Sequence, residues 1–234
     1  MKSLIFFILI LFHVQLFAQT SSEAEVQKLL ETHSSPESDA GLNLINNGQY
    51  EQANKYFSTE IKKDDGDRDA YFKRGVANWG LSDTLSACRD WSSVLALGDT
   101  QMFNLLESKC HSTMIIEEDS IPAKQYKKIF AVNDEKKNVK AVVEVMPSFQ
   151  GGQDKLISYL SANTPKMKEA KHGTVYVNFL VSPKGKILYP YVTHGLGGAY
   201  DKAAIQLVKN MPYWSPGKQK GKPVYVKTNL PVRF

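Results

Sequence analysis

Apolar and polar residues alternate in the carboxy-terminal part of the chain. In GTVYVNFLVS, Val175, Val177, Phe179 and Val181 fall on every second position, the period of a half-buried strand. Ser182-Pro183-Lys184-Gly185 is a turn, and Ile187–His194 then reads as a second strand. Val224, Val226, Thr228, Leu230 and Val232 alternate in a final strand. Two helical stretches complete the pattern. One, about 153–163, follows Gly151-Gly152 and carries Leu156, Ile157 and Leu160; the other, Tyr200–Met211, sets Ala203, Ala204, Leu207 and Val208 on one side. The turn makes the first two strands antiparallel, and the second helix carries the chain back before the third. An all-antiparallel sheet of order 2-1-3 follows. The prolines agree: Pro190 lies on strand two, Pro223 and Pro231 flank strand three, and the central strand has none.

The first half follows the helical period and repeats itself. Gly41, Ala53 and Phe57 recur as Gly75, Ala87 and Trp91, each 34 residues later. That spacing is the helix–turn–helix unit of tetratricopeptide (TPR) repeats. Residues 69–99, DAYFKRGVANWGLSDTLSACRDWSSVLALGD, resemble that family, with helices near 69–80 and 83–97. The first repeat departs from it, with Glu60 where a small residue is usual. A further helix at about 100–112 is expected to cap the exposed face. The TPR-like domain is thus placed at 36–112, and 113–140, with its EED, KK and DEKK clusters, is read as a linker with room for a short helix or strand.

Charge separates the same two parts. Residues 19–140 hold 15 Lys+Arg and 20 Asp+Glu, net −5; residues 141–234 hold 13 and 4, net +9. The amino terminus, MKSLIFFILILFHVQLFAQ, reads as a signal peptide of residues 1–18, with Lys2 ahead of an apolar run and a small-residue boundary at Ala18. The rival reading is an uncleaved inner-membrane anchor facing the periplasm. Only 16 residues run from Ser3 to Ala18, short of the about 20 that a spanning helix needs. Export from the cytoplasm permits a disulfide between Cys88 and Cys110, which would staple the cap helix to the second repeat; the alternative is two buried thiols.

Catalytic patterns are missing. The chain has no G-x-S-x-G elbow, phosphate loop or H-E-x-x-H, and its five histidines lack metal spacing. No enzyme, metal or cofactor is expected. Lys218, Lys220 and Lys222 form a basic surface. For an exported chain its counterpart is an acidic protein surface or an envelope polymer such as peptidoglycan, and not nucleic acid.

VEVMPSFQGGQDKLISYL (143–160), GTVYVNF (173–179), KNMPYWSPGKQKGKPVYV (209–226) and NLPVRF (229–234) resemble a TonB carboxy-terminal domain over residues 141–234. The expected architecture is therefore α followed by α+β: TPR-like helical hairpins, then a TonB-like domain of three antiparallel strands and two helices. The resemblance implies binding of the TonB box, a short extended segment of outer-membrane TonB-dependent receptors, by strand addition in support of energised transport. It assigns that capture to the last strand, at Val224, Tyr225, Val226, Lys227, Thr228, Asn229 and Leu230, with Tyr225, Lys227 and Asn229 pointing outward. The chain departs from TonB in its short, cleavable leader and in having only Pro122 within 113–140, where TonB has a proline-rich spacer. The alternative function is a non-energised envelope scaffold whose TPR groove holds one ligand, of unknown identity, and whose basic domain docks another protein or peptidoglycan.

Overall fold

The computed structural model describes residues 24, 26–31, 40–130, 143–167 and 171–234. The expected signal peptide 1–18, residues 36–39 of the repeat, 131–140 of the linker and 141–142 lie outside the described residues. Among the described residues no helix is long and apolar enough to cross a membrane. The chain divides into two compact units. One extends to Val94 and resumes over Gln101–Ser120; the other comprises Leu95–Thr100 and Ile121–Phe234.

The first unit is built on helices α1 (Ala40–Asn46), α2 (Tyr50–Lys63), α3 (Arg68–Gly80), α4 (Thr84–Ala96, as far as Val94) and α5 (Met102–Lys109). Asp67 caps α3, its carboxylate accepting from the Ala70 amide at 2.9 Å, and Asp83 accepts from Ser86 at the start of α4 at 3.1 Å. The 34-residue correspondence has a packing basis. A Cβ on Gly41 would strike the Phe57 ring, and a Cβ on Gly75 would strike the Trp91 indole. Glycine at both positions lets an aromatic from the next helix press on the backbone. Ala53, Phe57, Ala87 and Trp91 are all buried. Cys88 and Cys110 form a disulfide, with Cα atoms 5.6 Å apart, joining α4 to the residue that ends α5.

Residues 113–130, expected as linker, are structured. A hairpin of β1 (Thr113–Ile116) and β2 (Asp119–Pro122) leads into α6 (Ala123–Phe130), which buries Tyr126 and Phe130 one turn apart. The Ile115 amide donates to the buried Ser92 hydroxyl at 2.8 Å, which itself donates to the Cys88 carbonyl at 2.6 Å.

The second unit continues with α7 (Gly152–Asn163), β3 (Thr174–Val181), β4 (Ile187–His194), α8 (Gly198–Lys209), the short pair β5 (Lys218–Gln219) and β6 (Lys222–Pro223), and β7 (Val226–Arg233). The sheet is antiparallel in the order β4-β3-β7, which is the expected 2-1-3. Val175, Val177, Phe179 and Val181 point from β3 into one core with Leu156 of α7 and Ala204, Leu207 and Val208 of α8. Trp214 is wedged between Phe149 and Phe179, with ring centroids at 6.0 and 5.3 Å.

Candidate functional site

The register of β7 decides which of its backbone groups are available. Gly173 and Phe234 exchange both hydrogen bonds, at 3.2 and 2.9 Å. Pairing continues without interruption from Thr174↔Arg233 to Val181↔Val226. In an antiparallel ladder hydrogen-bonded pairs alternate, so Val226, Thr228, Leu230 and Val232 direct their amides and carbonyls at β3. Lys227, Asn229, Pro231 and Arg233 direct theirs outward. Among the described residues no strand pairs with that outer edge. Pro231, which has no N–H to offer a ladder, falls on an outward position, where its lack costs the sheet nothing.

The opposite edge, β4, is irregular. Its pairing with β3 shifts register twice, Tyr189 has φ 50°, and Pro190 follows it. Bulges, a left-handed residue and a proline all obstruct continuous pairing. The sheet thus has one edge suited to receive another strand.

Hollows follow that edge from end to end. The first, of about 590 Å³, is bordered by Val224–Lys227, by α6 and by Met146. The second, of about 290 Å³, lies at Thr228–Pro231 beside Phe149 and Trp214. The third, of about 630 Å³, lies between Leu230–Arg233 and α7. Two large apolar side chains in these walls are exposed: Met146 at 54% and Ile157 at 55%. Residues 144–148 are held to the segment 215–218 by Val145–Lys218 hydrogen bonds of 3.1 and 2.8 Å and Ser148–Ser215 bonds of 3.1 and 2.8 Å.

The residues singled out from sequence fall along this feature, with one correction. Val226 and Leu230 are buried on the core face, Val224, Lys227 and Thr228 are half-buried, and Asn229 is exposed. Tyr225, expected to point outward, is 5% exposed. It precedes the ladder of β7, and the sheet's second face is not open to solvent there, because α6 packs beside it. Lys227 lies on that second face, its ammonium 5.9 Å from the Phe130 ring and 5.7 Å from the Tyr191 ring. Asn229 donates to the Asn178 side chain at 2.6 Å, and Asn178 donates to the Tyr191 hydroxyl at 3.4 Å. This polar row crosses all three strands. Lys218, Lys220 and Lys222 are exposed on the β5–β6 hairpin, whose two turn residues, Lys220 and Gly221, have φ of 50° and 71°.

Sequence reasoning missed the walls. Of the apolar residues in α7, Leu156 and Leu160, four apart, pack on the core, whereas Ile157 does not. Ile157 projects elsewhere, and that offset was the available signal. Tyr126 and Phe130, at i and i+4, were the corresponding signal for α6. Among the described residues no three His, Cys, Asp or Glu side chains gather as a metal site.

No curated protein and no solved structure matches the chain. Residues 166–234, which hold the whole β4-β3-β7 sheet, match the family model of the Gram-negative bacterial TonB protein C-terminal.

Proposed function

We propose that this is a periplasmic envelope protein that captures an extended segment of a partner, such as the TonB box of an outer-membrane receptor, by adding it as a strand to β7. The observation that carries this is the outer edge of β7, with outward amides at Lys227, Asn229 and Arg233 and unpaired among the described residues. Backbone hydrogen bonds supply affinity in such an arrangement, and hollows beside alternate side chains supply specificity. Within Val224–Leu230 the outward pairing positions are Lys227 and Asn229, since the Val224 amide is bonded to the Gly217 carbonyl and Val226, Thr228 and Leu230 face β3; Lys218, Lys220 and Lys222 are the basic surface that attracts the partner. Delivery of energy to transport across the outer membrane is the family-level role of this interaction.

A second reading concerns the amino-terminal helices. The matched Gly41–Phe57 and Gly75–Trp91 contacts, 34 residues apart, favour a TPR-type module. The chain would then act as an adaptor, with a separate ligand on its helical hairpins and no requirement for energy coupling.

Calorimetric titration with a synthetic TonB-box peptide tests the first reading. Wild type should bind. Lys227→Pro, which removes a central outward amide, should weaken binding at least about tenfold while the domain remains folded. Equal affinity in the two proteins would exclude capture at this edge.

A further inference from the structure

We infer that the hollow between α6 and the start of β7 is a second recognition site, which takes an apolar side chain bracketed by carboxylates at one end of the segment added to β7. This rests on the strand-addition reading. One wall of the hollow is α6, a helix that lies ahead of the family-matched residues 166–234, so the site is completed by a part of the chain outside the matched domain.

Three observations define the occupant. The first is apolar volume: the space of about 590 Å³ is bordered by Ile129, Met146 and Val226, and falls within the size range of ligand-binding pockets. The second is charge. Lys124, Lys128, Lys220 and Lys227 border it, and among the described residues no Asp or Glu does. Among the described residues none of these four ammonium groups is in an ion pair. An occupant carrying carboxylates would neutralise several like charges gathered round an apolar floor. The third is Gln219, whose side-chain oxygen is buried without a hydrogen-bond partner at the same hollow. It needs a donor, which a peptide N–H provides and a fatty-acid anion does not. Val226 and Lys227 belong both to this hollow and to β7. A strand paired at the outward Lys227 amide therefore runs directly into it.

Dye-labelled peptides titrated against the full chain test this by fluorescence anisotropy. A pairing segment of alternating valine and threonine carries one of three tails: Asp-Leu-Asp, Asp-Ser-Asp or Lys-Leu-Lys. The first should bind about tenfold more tightly than the other two, since it alone supplies both the apolar group and the charge. Lys128→Glu, on the exposed side of α6, and Ile129→Asp should each remove that gain and leave the untailed peptide's affinity unchanged. Equal binding of the three tails, or a gain that survives both substitutions, would overturn the proposal while strand addition stood. If the untailed peptide does not bind wild type, strand addition fails. The hollow is then judged by an amide NMR titration with the isolated Asp-Leu-Asp peptide. Shifts confined to Lys124–Ile129 and Val224–Lys227 uphold it, and no shift at saturating peptide rejects it.

Discussion

Asp90 is almost fully enclosed, and everything around it is arranged for a carboxylate. Arg74 grips it with two hydrogen bonds of 3.0 and 2.6 Å, and Asn78 adds a third at 2.9 Å. Arg74 also donates to Ser58 at 3.2 Å, and Asn54 donates to Asn78, so α2, α3 and α4 meet through one polar network. Burial pushes the Asp90 carboxyl above its ordinary value, while the Arg74 hydrogen bonds and charge, and then Asn78, pull it back. A pair under such opposed influences adds little net stability, but losing one member leaves the other charge uncompensated, with Arg74 still 23% exposed and Asp90 only 4%. Asp90→Ala should therefore cost about 3–5 kcal/mol in urea unfolding. Asp90→Asn, which keeps an acceptor for Arg74, should cost less. A loss below about 1 kcal/mol for the alanine variant would mean that Arg74 finds water in place of the carboxylate.

At the scale of the element, the two faces and two edges of β7 have different tolerances, and neighbouring positions show it. The Thr228 amide faces Phe179 across the ladder, whereas the Lys227 amide faces outward. Thr228→Pro should lose a ladder bond and leave the Phe179 carbonyl unpaired in the core, a cost of about 2–3 kcal/mol. Lys227→Pro should cost no more than about 1 kcal/mol, as an edge position tolerates proline. Thermal melts of the two variants check the register; the reverse order of stabilities would show that the ladder is shifted by one residue. Much of this strand was legible from Val226, Thr228, Leu230 and Val232, because a period of two in apolar residues fixes which side faces a core. The central place of β3 was legible for a related reason: prolines fall only on its neighbours. What periodicity could not reveal is a face covered by an element distant in sequence. Tyr225 reads as solvent-facing from alternation alone, and its burial beside α6 depends on a helix whose eight residues, AKQYKKIF, carry only two buried aromatics among four polar side chains. The hollows along β7 were hidden for the same reason, since a hollow belongs to the space between elements.

Across the whole molecule two features act beyond single elements. The Cys88–Cys110 bond closes a loop with a sequence separation of 22, and such a closure stabilises by about 3 kcal/mol relative to the open chain. Reduction should lower the denaturant midpoint accordingly, with α5 gaining hydrogen exchange first; an unchanged midpoint would mean that burial alone holds Met102, Leu105 and Leu106 in place. The other feature is the distribution of charge. Residues 141–234 carry net +9 against −5 for residues 19–140, and among the described residues the hollow at the start of β7 is bordered by lysines without carboxylates. For an acidic extended partner these charges act during approach, when the surfaces are still separated by water and ions. The backbone bonds of an added strand act only after contact. Salt should therefore separate the two contributions. Between ~0.05 and ~0.5 M the Debye length falls below the width of the basic surface, so the association rate should drop steeply while the dissociation rate changes little. Replacing Lys218, Lys220 and Lys222 with glutamine should slow association at low salt and have almost no effect at high salt, because screening has already removed what the substitution removes. Stopped-flow mixing with a labelled acidic pairing peptide measures both rates. If salt instead left association untouched and accelerated dissociation, the lysines would be contacts within the complex and not the field that draws the partner in.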